Sequence, residues 1–140
     1  MKKAGTLSLA AGAVAIGTMA LAAPAMAAGP AASVTPNKGL VNGQAVKVKF
    51  SGYPKSSSGV TVVAIQCTKA IASQSDATKF CNIKGAKTLK TTTGAGTITG
   101  LKVVVGKVGT AGVCKSKGSC VIGVASIAPQ AAKFVKITFK

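Results

Sequence analysis

The side chains able to do chemistry in this chain are few and unevenly chosen. Asp76 is the only acid, histidine is absent, and the eighteen basic residues are all lysine. Catalysis of the usual kinds needs a group that titrates near neutrality, or two carboxylates that divide the work of acid and base. Neither is available, and composition excludes a Ser-His-Asp arrangement. A Ser–Lys pair is the one nucleophilic option left, and no local pattern marks one. Gly94-Ala95-Gly96 comes nearest to a phosphate-cradling loop, but it joins two β-rich runs and no helix pattern follows it. These residues point to a binding protein with no catalytic set.

The cysteines are the other reactive groups: Cys67, Cys81, Cys114 and Cys120. A zinc site would need close pairs such as Cys-x-x-Cys, usually with histidine, so no metal is expected. An even cysteine count in an exported chain reads as disulfides, because the compartment is oxidising. Export is what the first residues announce. Lys2 and Lys3 precede an uncharged apolar stretch from Ala4 to Ala23, Pro24 breaks it, and Ala25-Met26-Ala27 has the small-x-small form of a cleavage site. Residues 1–27 are therefore expected to be a secretory signal, and 28–140 a single secreted, extracellular domain. No second apolar run reaches the ~20 residues a spanning helix requires, so no membrane span is expected after processing.

The net charge of +17 suits a partner that is a polyanion, such as nucleic acid or an anionic cell surface. It also keeps a protein soluble and monomeric. Lys47, Lys49 and Lys136 fall at outward positions of strand-like runs, and Lys115 and Lys117 crowd the tip between Cys114 and Cys120. These five are the candidate polyanion-binding residues. Lysine is a point charge without the bidentate fork of arginine, so any nucleic-acid binding is expected to ignore sequence.

The elements that must carry these groups are strands. Short β-rich runs are separated by Gly, Pro, Ser and Asn clusters at the ~8–12-residue spacing of a sandwich. The runs are Ala32–Thr35, Gln44–Ser51, Val60–Cys67, Thr88–Thr93, Thr97–Val105, Cys120–Ile127 and Lys133–Phe139. In the second, Val46, Val48 and Phe50 alternate with Lys47, Lys49 and Ser51, the period of a half-buried strand. Val60–Cys67 is almost wholly apolar or β-branched, which predicts a central strand covered on both faces. Thr68–Asn82 is expected to be a connection, and helix to be scarce.

Several segments carry a family likeness. Ala32-Ser33-Val34-Thr35-Pro36-Asn37-Lys38-Gly39-Leu40, followed by Asn42-Gly43 and Val46-Lys47-Val48, resembles the opening signature of the neocarzinostatin family. Gln66-Cys67 is similar to that family's first half-cystine and Ser119-Cys120-Val121-Ile122-Gly123-Val124 to its last, while Val135-Lys136-Ile137-Thr138-Phe139 resembles its terminal strand. The family comprises secreted bacterial apoproteins that carry enediyne antibiotics. The resemblance implies an all-β, seven-stranded, immunoglobulin-like antiparallel sandwich with a ligand cleft at one end. There a non-covalently held chromophore that cleaves DNA would be shielded and delivered. With the local proximity of the cysteines, it implies the pairings Cys67–Cys81 and Cys114–Cys120. By position it implies a cleft lined by Ile65, Cys67, Lys69, Val121 and Ala125, with the hairpin around Val104. The chain departs from the family pattern at Lys69, Val121 and Ala125, where the family places aromatic or polar groups. Its hairpin between Val103 and Cys114 is shorter, and it is basic where family carriers are acidic.

Three functions follow as expectations: a carrier for an apolar or polycyclic small molecule, with antibiotic activity residing in the cargo; a cationic module binding DNA or an anionic cell surface directly; or a structural surface protein with no ligand.

Overall fold

Apolar and lysine residues alternate in the strand where the sequence places them: from Ala45 to Ser51, Val46, Val48 and Phe50 are buried while Lys47 and Lys49 are exposed. The same rule builds the rest of the computed structural model, which describes residues 29–140. The expected secretory signal, residues 1–27, and its cleavage point lie outside the described residues.

In chain order the elements are β1 (Ala31–Thr35), β2 (Ala45–Ser51), β3 (Val60–Cys67), α1 (Gln74–Phe80), β4 (Lys87–Thr91), β5 (Gly96–Lys102), β6 (Gly106–Val108), β7 (Gly112–Cys114), β8 (Ser119–Ser126) and β9 (Ala131–Thr138), with a 3-10 turn at Ile83–Gly85. A three-stranded sheet of order β1-β2-β5 packs on a four-stranded sheet of order β4-β3-β8-β9, and all pairings are antiparallel. These are the seven strands of the expected sandwich. The short β6–β7 ribbon stands apart from both sheets. Among the described residues no helix is long and apolar enough to cross a membrane.

The core lies between the sheets. Val46, Val48, Phe50, Ile98 and Leu101 from one side meet Val62, Ala64, Ile122, Val124 and Ile137 from the other. Each of these valine, leucine, isoleucine and phenylalanine side chains stabilises the fold by about 1.5–3 kcal/mol on removal from water. Tyr53, just past β2, reaches across the core: its ring meets Phe50 edge-on, with centroids 5.5 Å apart, and its hydroxyl donates to the Val124 carbonyl at 2.6 Å. Burial pushes the Tyr53 phenol up from 10.0 to about 12. The last residues tie the sheets together, since Leu40 N–H donates to the Thr138 carbonyl and Lys140 N–H to the Leu40 carbonyl, both at 3.0 Å.

Two expectations change. The predicted strand Thr97–Val105 leaves its sheet at Lys102. Opposite Val46 to Val48, β5 carries an extra residue between Ile98 and Leu101, with Gly100 at φ 73°, so the strand is bulged and turned early. Val103 is buried off the end of the sheet, and this is why the run stays apolar without staying a strand. β3 is central but not sealed on both faces. Val60, Val62, Ala64 and Gln66 are buried beneath it, whereas Thr61 is exposed and Val63 and Ile65 are only half-buried.

Candidate functional site: a cleft on the outer face of the four-stranded sheet

Pleating sends alternate residues of the four-stranded sheet away from the core. Ile65 on β3 lies opposite Gly123 on β8, and Gly123 opposite Phe134 on β9; one step along, Val63, Ala125 and Ala132 are in line. Gly123 has no side chain, and the Phe134 ring occupies that space: a Cβ built on Gly123 would stand 2.9 Å from Phe134 Cε1. A glycine inside a strand marks such a close approach. The result is a shallow apolar floor instead of a row of separate side chains.

A wall rises over this floor from the chain after β3. Ile71, Ala72 and Ser73 lead into α1, whose Gln74 and Ala77 line the cleft, and the turn beyond β8 closes the far end with Ile127 and Gln130. The cleft is open to solvent on one side and has a volume of about 510 Å³. Cavities of ~300–1,000 Å³ are those that hold small organic ligands.

A helix this short is not stable by itself, so its position depends on external ties. Ser73 caps its start, accepting from Asp76 N–H at 3.3 Å. The Cys67–Cys81 disulfide fastens its end to β3, with the two Cα atoms 4.0 Å apart. Flanking it, Thr68 N–H donates to the Phe80 carbonyl and Asn82 N–H to the Gln66 carbonyl, each at 2.8 Å. The turn of the β6–β7 ribbon supplies donors for the last helical carbonyls: Ala111 N–H to Lys79 at 2.8 Å and Thr110 N–H to Thr78 at 3.2 Å. The ribbon is held in turn by Gln66, a buried amide that bonds both backbone groups of Val104 and meets Cys114 Sγ at 3.2 Å. The second disulfide, Cys114–Cys120, joins the ribbon to β8.

Of the residues placed at the cleft by family position, Ile65 and Ala125 line it. Cys67, Lys69, Val104 and Val121 do not. The cleft sits toward the β8–β9 turn, whereas Cys67 and Val121 pair at the other end of the sheet, where the Cys67–Cys81 disulfide is buried. Lys69 instead sets its ammonium 4.3 Å from the centre of the Phe80 ring, and Val104 is clamped by Gln66. Phe134, Ile71, Ile127 and Gln130 were not anticipated. Two signals were present for the floor: Phe134 alternates against Val135 and Ile137 on β9, and Gly123 interrupts an apolar strand.

The five candidate polyanion-binding lysines do not share one surface. Lys47 and Lys49 are exposed on the outer face of the three-stranded sheet, beside Lys102. Lys136 is exposed on the outer face of the four-stranded sheet. Outward positions of two packed sheets point in opposite directions. Lys115 and Lys117 stand in the Cys114–Cys120 loop, where Lys117 N–H donates to the Lys140 carbonyl at 2.9 Å.

No protein-family model matches the chain. No curated protein sequence matches it either. Among solved structures, macromomycin is 28% identical, with a TM-score of 0.56, over 79% of this chain and 99% of macromomycin. The chain therefore shares its fold with macromomycin, an apoprotein of the family that its opening segment resembles.

Proposed function

We propose that this protein is an exported carrier that holds an apolar, polycyclic small molecule without a covalent bond, and that it has no catalytic role of its own. Any antibiotic or DNA-directed activity would then belong to the cargo. The observation that carries this reading is the cleft of about 510 Å³, with Ile65, Ile71, Ala125, Ile127 and Phe134 around it and a floor made flat by Gly123. Such a surface gains most from an apolar guest. The likeness to macromomycin supports a carrier role at the level of the family. The scatter of lysines over both outer faces favours this reading over a dedicated polyanion-binding module.

Two measurements test it. Protein secreted by its own producer and analysed by native mass spectrometry should carry a small molecule released on denaturation. In an NMR titration with acridine, resonances of Ile65, Gly123, Ala125 and Phe134 should shift together. Phe134→Ala should weaken that binding by about 0.5–1.5 kcal/mol, the worth of one aromatic stacking partner. If none of these resonances moves, the carrier reading is wrong.

A further inference from the structure

In a chain of net charge +17, the cleft is uncharged: among the described residues that line it there is no lysine and no acid. The exclusion is local and structural. On α1, Gln74 and Ala77 line the cleft while Asp76 and Lys79 do not; on β9, Ala132 and Phe134 line it while Lys133 and Lys136 do not. Asp76, the only side-chain carboxylate, thus stands on the very helix that forms the wall without contributing to the lining.

The polar groups that remain are few. The Ser126 hydroxyl donates to the Pro129 carbonyl at 2.6 Å, and the Ser73 hydroxyl is engaged as the cap of α1. Gln74 on the wall and Gln130 at the turn are left, both exposed and both carboxamides. A carboxamide offers one acceptor and two donors and carries no charge. Such a pair can orient a carbonyl, hydroxyl or amide at the edge of a ring system, but neither can neutralise an ion.

Resting on the carrier reading, we infer that the guest is electrically neutral over the part that enters the cleft, its polar edge read by Gln74 and Gln130. A ring cation would lose water on this apolar floor without gaining a counter-ion, and would approach against the field of the whole basic chain. A ring anion would be drawn toward the protein by that field, yet would find no cation in the cleft to pair with.

Three probes of similar shape test this on the mature protein at ~0.15 M salt, where exposed charges are screened beyond ~8 Å. They are acridine above its pKa, N-methylacridinium and 9-anthracenecarboxylate, each followed by fluorescence and by the shifts of Ile65 and Phe134. Acridine should bind about tenfold tighter than either ion, as expected for an uncompensated charge in an apolar site. Gln130→Glu should then raise N-methylacridinium affinity about tenfold by supplying the absent counter-ion. Gln74→Glu provides an independent second version of the same change, and in neither variant should acridine bind more tightly, because a carboxylate cannot donate to its ring nitrogen as the carboxamide does. Ion binding at the cleft equal to or tighter than acridine would overturn the inference. So would the absence of any gain in both glutamate variants. If none of the three probes moves Ile65 or Phe134, it is the carrier reading that fails, and the inference falls with it.

Discussion

Gln66 and Val104 exchange two hydrogen bonds, each of 2.7 Å: the amide nitrogen of Gln66 donates to the Val104 carbonyl and its oxygen accepts from the Val104 N–H. A side chain buried in the sandwich thereby replaces the sheet partner that Val104 lost when β5 ended at Lys102. The tie matters for the cleft because it anchors the ribbon, whose turn in turn supplies donors to the end of α1.

Replacing Gln66 by Leu keeps its bulk but strands two backbone groups. The expected loss is about 1–3 kcal/mol for each group left unsatisfied, to the extent that water cannot reach it. Urea unfolding gives the total. Hydrogen exchange should rise in 103–113 and in α1 before the sheets respond. An unchanged exchange rate in α1 would show that the ribbon does not support the wall.

The two disulfides should contribute unequally. On the chain-entropy model the longer Cys67–Cys81 loop is worth about 3 kcal/mol and the shorter Cys114–Cys120 loop about 2 kcal/mol. Paired Cys→Ser variants compared by thermal unfolding test the order. The Cys67→Ser/Cys81→Ser variant should also lose cleft binding before it loses its sheets, since it frees α1. Non-reducing peptide mapping that joined Cys67 to Cys114 would contradict the pairing.

Tyr53 makes stability fall in alkali. Its phenol is raised to about 12 in the folded protein against 10.0 in the open chain, because burial disfavours the phenolate. The folded state therefore keeps a proton that the unfolded state has lost. The contribution is fully present below pH 10 and is lost as pH rises from 10 toward 12. Since Tyr53 is the only tyrosine, phenolate absorbance reports it directly. Tyr53→Phe should cost about 1 kcal/mol near neutrality through loss of the bond to Val124, and that deficit should shrink above pH 10. A deficit independent of pH would refute the assignment.

The lysine arrangement predicts weak, sequence-blind binding to duplex DNA with a shallow salt dependence, because one duplex cannot meet both outer faces. Each phosphate neutralised contributes a slope of about −0.9 in log K against log salt. Replacing Lys115 and Lys117 together by Ser should change the slope by at most about 2, and Lys136→Ser should act independently of Lys47→Ser. A steep slope abolished by any one of these changes would mean that a concerted patch exists after all.

What the sequence determined by itself was everything that depends on short-range pattern or on composition. Alternation in Val46 to Phe50 decides which side of β2 is buried, the turn residues divide the chain into strands, and the absence of histidine and of a second acid removes the familiar catalytic sets. The cysteine count, together with the family likeness, gave two disulfides with the pairing now seen. The cleft belonged to longer range. Ile65, Gly123 and Phe134 come from three strands, and only their register makes them neighbours. α1 lacks an apolar stripe because it buries no residue fully; it is held by a disulfide and by the carbonyl partners that the ribbon provides, and no local signal encodes those. The lysines followed the same division. Their outward direction was legible strand by strand, but whether they converge depends on which sheet each strand joins, and that is decided by pairing between distant segments.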